Sequence, residues 1–493
     1  MAVITAVPPD ACHAGANVTE CLDGADVPNR IPPLVTQHRS ALAYARCGRV
    51  IAFAVMVGFF SSAVAARDAS FTAECLGANA GAYALSSGEI IVLNVAAKPT
   101  ALRWTHDDGR TGLLQPDASG GLKGTRGWTT DPDTIAIDLK ACDGTRLLFE
   151  GRTARRLELD IQETAIEVDG ARVAGRLVRP AGQRGTPVPL VVEVQGSGRG
   201  SHIDSSHRQF QLPAHGIAVF VYDKRGTGRS TGRYTQDFHV LARDAAAAFT
   251  HASGLMREGA TTRGFVGSSQ GGWVAPLAAA QVPADFVIVN YGLAYSALQE
   301  DREQVLLGMR QAGWNDPDIL RKAAAVADAA GRVVTRKGEE DMRGMAQLRE
   351  LYRQEAWWKN LGGEFTVFIA NTSAEELARL GPSMDVGTSW DYDPMPTLRA
   401  LKARQLWLVA GQDMEAPPEE TLRRLDALQR EGRPVTVVTF PEADHGLRRF
   451  EVVDGKRRET GYETGAHRVI VDWIHGVELA PRAGETFVVA HPR

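Results

Sequence analysis

Between residues 161 and 480 the hydrophobic positions fall into short unbroken runs, separated by stretches with helical spacing. The runs at 190–194, 218–222, 286–289, 405–410 and 435–440 are apolar at nearly every position, which suits strands buried on both faces. The stretches at 238–249 and 465–474 repeat their apolar residues at helical intervals. Strands alternating with helices predict an α/β fold, a mostly parallel sheet with helices on both faces. A hairpin precedes it at 164–178, with Asp169-Gly170 as its turn.

Two segments depart from that alternation. Residues 67–160 carry two strand-like runs around a turn at 81–95 and an alternating run at 134–139, with turn signals at Asp107-Asp108-Gly109 and Ala118-Ser119-Gly120-Gly121, and predict a small β-rich accessory domain. Residues 296–385 read as polar-faced helices at 296–311, 318–330 and 339–359, inserted between two strands of the sheet as a helical lid. Three tryptophans there, Trp314, Trp357 and Trp358, are candidates to line an apolar acyl pocket. The expected order is therefore 161–295 and 386–480 as the two parts of one core, 296–385 as the insertion and 481–493 as a tail.

The first residues follow another pattern. Residues 1–49 show no sustained periodicity and hold Cys12, Cys21 and Cys47. Arg46 and Arg49 then precede an apolar run at 50–60 and the small residues Ser61 to Ala66. A basic flank, a short apolar core and an A-x-A site compose a secretory signal, with cleavage expected after Ala65 or Ala66. The alternative is a membrane anchor through residues 50–66 with a tail at 1–49. Export predicts a periplasmic or secreted protein without a stable membrane partner, and leaves only Cys75 and Cys142. Those two either form a disulfide or remain separate buried thiols.

Composition narrows the function. A net charge of −4 and 23% charged residues carry no basic block of the kind that nucleic acid requires. The 12 histidines lack H-x-x-x-H or H-E-x-x-H spacing, so neither a metal nor an organic cofactor is expected.

The chemistry is concentrated at Gly267-Ser268-Ser269-Gln270-Gly271, a G-x-S-x-G pattern between an apolar run and an Ala-rich helical stretch. That layout is a nucleophile elbow, which exposes one Ser on a tight strand-to-helix turn. Gly228-Arg229-Ser230-Thr231-Gly232 repeats the pattern with no helix of small residues after it, and Ser230 is expected to be structural. Asp413 follows the strand at 405–410, and His445 follows the strand at 435–440. Glu415 stands close enough in sequence to be an alternative acid. The strand at 190–194 ends in Gln195-Gly196-Ser197-Gly198, whose backbone N–H groups can form half of an oxyanion hole. Each residue has a plainer reading: Asp413 as a helix cap, His445 as a solvated loop residue. Their joint placement favours the chemical one.

With those motifs, and with Tyr222-Asp223-Lys224-Arg225-Gly226-Thr227-Gly228, residues 161–478 resemble the α/β-hydrolase superfamily, in its exported esterase and prolyl-oligopeptidase-like branch. The resemblance implies Ser269 as nucleophile, His445 as base and Asp413 as acid, with oxyanion donors at the backbone of Gln270 and Ser197. Gln195 stands where many relatives carry His. The reading is a serine hydrolase acting on a small-molecule ester or other acyl substrate. A peptidase or amidase on the same residues is the alternative, and 67–160 is too short for the propeller such peptidases commonly carry.

Overall fold

A computed structural model describes residues 73–96, 101–116, 122–133, 137–139, 144–180, 182, 186–256 and 259–492. The signal or anchor expected at 50–66 lies outside them, as do residues 1–49, the start of the run at 134–139 and Cys142. Cys75 is disulfide-bonded. Among the described residues no helix is long and apolar enough to cross a membrane.

The apolar runs assemble into one nine-stranded sheet. Its strands are β1 (Asp160–Val168), β2 (Ala171–Arg179), β3 (Val188–Val194), β4 (Ala218–Tyr222), β5 (Ala260–Ser268), β6 (Phe286–Asn290), β7 (Arg404–Ala410), β8 (Val435–Phe440) and β9 (Val488–Ala490). They lie in the order β9-β8-β7-β6-β5-β3-β4-β2-β1. The contiguous pairs from β4 through β3 to β8 are parallel, while the β1–β2 hairpin, the β2–β4 pair and β9 are antiparallel.

Unbroken hydrophobicity has the expected cause. Val192, Phe265, Val287 and Trp407 face the helices Phe238–Leu255 and Gly271–Ala279. Their neighbours Val191, Val266, Ile288 and Leu408 face the helix Ala466–Ile474 on the other side. A parallel strand covered on both faces has no position left for a polar residue without a partner.

Ahead of it stands an antiparallel eight-stranded sheet between Gly81 and Arg156. Phe210, from the helix Arg208–Ala214, packs against Ala82, Ile90 and Val92 of that sheet. Asp107 accepts from His215 Nε2 at 3.1 Å and from Gln211 Nε2 at 3.2 Å. Trp128 of the same segment meets the ring of Tyr462, at the end of the hairpin Arg448–Tyr462. The β-rich segment is thus seated on the core next to the chain that follows His445.

Residues 297–384 form helices between β6 and β7: Ala297–Gln311, Pro317–Arg336, Glu339–Tyr352, Thr366–Asn371 and Ala374–Met384. The last two were not predicted, and the third ends at Tyr352, short of 359. Trp357 and Trp358, which follow it, are buried in a core these helices build among themselves, and Trp314 packs against that core. The expectation that the three line an acyl pocket is corrected: they pack in that core, and none of them lines the cavities described below. Amphipathic helices that leave the main sheet must bury their apolar faces on each other, and the largest side chains go there first.

Candidate active site

β5 runs into the helix Gly271–Ala279 through Ser269 and Gln270 alone. Such a turn forces Ser269 to a φ of 53°, a left-handed conformation that costs a non-glycine residue about 1–2 kcal/mol. The two flanking glycines permit it. A Cβ on Gly267 would overlap the Gly271 carbonyl, and one on Gly271 would overlap the carbonyl of Val194 in the neighbouring strand. Ser269 N donates to Asn290 O at 3.0 Å, which ties the elbow to β6.

The loops after β7 and β8 bring the other two residues to it. Ser269 Oγ lies 3.2 Å from His445 Nε2. His445 Nδ1 lies 2.9 Å and 3.2 Å from the two carboxylate oxygens of Asp413. With the proton on Nδ1 donated to Asp413, Nε2 is left to accept the serine hydroxyl. Asp413 is 1% exposed, and its Oδ1 also accepts the backbone N–H groups of Glu415 and Ala416, at 2.9 and 2.7 Å. The helix-cap reading of Asp413 is corrected: the next helix starts at Pro418, with Pro417 at its cap, and Asp413 closes the turn ahead of it. The Tyr291 ring meets the imidazole edge-on, with centroids 4.9 Å apart. Asp444 joins the two loops by accepting from His445 N at 2.9 Å and Met414 N at 3.2 Å.

Glu415 takes a different place from Asp413. Its carboxylate lies 3.3 Å from His445 Nε2, on the serine side of the ring, and is 58% exposed. Burial works against a charged His445, but the carboxylates of Asp413 and Glu415 outweigh it and raise its pKa. Burial raises the Asp413 carboxyl as well, against the pull of His445. Asp413 and His445 titrate as a coupled pair.

Among the described residues the backbone N–H groups of Gln270 and Ser197 bond no protein acceptor. Lys224 Nζ donates to Gly196 O at 2.6 Å, and Tyr234 Oη to Ser197 O at 2.9 Å. In a trans peptide the C=O and N–H point in opposite directions. The lysine on Gly196 O therefore fixes the direction of the Ser197 N–H. Burial pushes the Lys224 pKa down to about 7, with Arg199 adding to the effect.

A recess opens beside Gln270, lined also by Gln236, Trp273, Glu300, Glu364 and Trp390. Glu300 is 4% exposed, and among the described residues no group hydrogen-bonds its carboxyl. Burial raises its pKa to about 8. Gln270 Oε1 is likewise buried without a partner. Buried polar atoms are nearly always bonded in folded proteins, so the Gln270 amide oxygen marks a place for a polar ligand or water.

Ser230 lies apart from all of this. Its Oγ donates to Asp223 O at 2.7 Å and accepts from Ala174 N at 2.8 Å. The second G-x-S-x-G is a structural turn. Among the described residues no three His, Cys, Asp or Glu side chains gather as a metal site would need.

This fold makes the chain a serine hydrolase of the α/β-hydrolase superfamily. Residues 169–442, more than half of its length, match the model of the X-Pro dipeptidyl-peptidase (S15) family, and the chain belongs to that family. No curated protein matches it. Among solved structures it is similar to an esterase of Pyrococcus furiosus, at 14% identity over 59% of this chain and 84% of that one, with a TM-score of 0.37. It is also similar to an acylaminoacyl peptidase of Pyrococcus horikoshii, at 14% identity, 70% and 50% coverage and a TM-score of 0.36. Dipeptidyl peptidase 4 of Porphyromonas gingivalis is similar at 13% identity, 80% and 49% coverage and a TM-score of 0.38.

Proposed function

We propose that the protein hydrolyses carboxylic esters through an acyl-enzyme on Ser269. The observation that carries the reading is the hydrogen-bonded line from Ser269 Oγ through His445 to Asp413, set on a strained elbow. His445 takes the serine proton as Oγ attacks the acyl carbon, and Asp413 stabilises the imidazolium. The tetrahedral oxyanion rests on the N–H groups of Gln270 and Ser197. Protonated His445 gives its proton to the departing alkoxide, and water repeats the attack on the acyl-enzyme. The helices between β6 and β7 act as a lid over this centre.

A second reading, cleavage of an amide or peptide bond, draws on the S15 family and on Glu300. A buried carboxyl in the recess beside Gln270 suits a substrate ammonium group, which would favour its charged form. Amide hydrolysis also asks more of His445, since the leaving nitrogen must be protonated as the bond breaks. Matched p-nitrophenyl esters and aminoacyl or prolyl p-nitroanilides, compared by kcat/KM, test the choice. Higher values for esters support the first reading; an amide that exceeds every ester overturns it. Export with cleavage near Ala66 belongs to the same proposal, and the N-terminal sequence of the protein recovered from its native cells tests it.

A further inference from the structure

A cavity of about 590 Å³ lies inside the helical insertion, within the range of small-molecule sites. Its walls are mainly apolar, with Val333, Phe365, Phe368, Ile369, Leu377 and Trp390 among them. A Lys337–Asp385 ion pair stands at its rim. Thr388 and Trp390, in the 386–390 segment, line both this cavity and the recess beside Gln270. That segment is pinned on the recess side. Gln236 N donates to Val386 O at 2.9 Å, and Thr388 Oγ1 donates to Gln236 Oε1 at 3.2 Å. On the other side Phe365 packs edge-on against Trp390, with centroids 5.1 Å apart.

We infer that this cavity takes the apolar chain of a medium-length acyl group whose carbonyl sits at Ser269, with Trp390 as the wall the chain passes. The inference rests on the hydrolase reading above. Two observations point the same way. Most of the wall is apolar, and its charged side chains Lys337 and Asp385 are spent on each other. The cavity shares a wall with the recess that adjoins the elbow. An acyl chain that leaves water for this space gains with each methylene. The enzyme should therefore favour long acyl groups over acetyl.

Two variants fill the cavity from positions that leave the helix cores alone. Ala378 is exposed on the helix Ala374–Met384 and lines the cavity, and Gly381 has no atom within 4 Å of the place a Cβ would take. kcat/KM for p-nitrophenyl decanoate divided by that for the acetate is measured on the full chain, its Ala378→Trp variant and its Gly381→Phe variant. The ratio is expected to fall by roughly tenfold or more in each, the loss of a few buried methylenes. An unchanged ratio in a variant that still turns over acetate overturns the inference. Calorimetric titration of decanoate into Ser269→Ala protein, with and without Gly381→Phe, reads the cavity without catalysis. Weaker binding in the double variant supports the site, and equal binding or none overturns it. If the wild-type chain turns over neither ester while decanoate still binds and Gly381→Phe weakens it, the hydrolase reading fails and the cavity stands.

Discussion

The carboxylate of Glu415 lies 3.3 Å from His445 Nε2, the same nitrogen that faces Ser269 Oγ at 3.2 Å. Two carboxylates thus bear on one imidazole, Asp413 at Nδ1 and Glu415 at Nε2. Asp413 is buried and holds the ring. Glu415 is largely exposed and acts as a pull on the proton that the base must be free to accept.

The pH dependence of Glu415→Gln follows from that. A carboxylate beside an imidazolium raises its pKa, so removing one lets the His445 pKa fall. The base is then free at lower pH, and the acidic limb of kcat/KM moves to lower pH. Water screens the exposed carboxylate, so the shift should be modest. Asp413→Asn should instead cost on the order of 10⁴ in kcat by analogy with other triads, because the ring loses its tautomer. If the glutamine variant is the crippled one and the asparagine variant is active, the roles are reversed.

Ser269→Ala should abolish hydrolysis, whereas Ser230→Ala should keep it. The Ser230 hydroxyl joins Asp223 O to Ala174 N, and its loss should appear as about 1–3 kcal/mol of stability. Mapping a fluorophosphonate adduct by mass spectrometry checks the first half, and thermal denaturation the second. An adduct on Ser230 refutes the assignment.

Lys224 is a positioning residue in this scheme, since it touches the Gly196 carbonyl and not the substrate. Lys224→Met frees that peptide to rotate and turns the Ser197 N–H off the oxyanion. The interaction it supports forms in the transition state, so kcat should fall by about 10² with KM little changed. A rise in KM alone would place Lys224 in substrate binding instead.

How much of this was legible in the sequence differs from one part to the next. The strands of the main sheet were, because burial on both faces writes an unbroken apolar run. So were Ser269, Asp413 and His445, since each follows such a run directly. The tryptophans misled, because a chain inserted between β6 and β7 builds a core of its own, which local spacing does not reveal. Glu300 could have been found. Ala297, Val305 and Met309 set the buried stripe of the helix Ala297–Gln311, and Glu300 and Asp301 fall on it. Acidic residues on an apolar stripe are the signal, which the reading of this helix as polar-faced passed over. Lys224, Tyr291 and Asp444 act through loops from distant strands, so sequence order gives no hint of their meeting.

The buried pair under the elbow supplies the last prediction. Glu193 of β3 is 2% exposed, accepts from Ser206 Oγ at 2.6 Å and from Arg208 Nη1 at 3.1 Å, and has His202 Nε2 at 3.5 Å. Arg208 Nη1 also reaches Ser268 Oγ at 3.3 Å, next to Ser269. Burial disfavours the Glu193 carboxylate, yet His202, Arg208 and Ser206 outweigh it and hold its pKa below the ordinary range. A carboxyl whose folded pKa is depressed contributes stability that is fully present above its unfolded value, about 4.3. That contribution is lost as pH falls from there through the lower folded value. Glu193→Gln removes one partner and leaves the Arg208 guanidinium buried and unpaired, which costs on the order of 3–5 kcal/mol at neutral pH. Below the ordinary carboxyl range the gap should narrow, because the wild-type chain has begun to protonate Glu193 too. Calorimetric melting of both proteins across that range checks it. A Tm difference that stays constant with pH would falsify the linkage, and a variant as stable as the wild type at neutral pH would show that the pair carries no net stability.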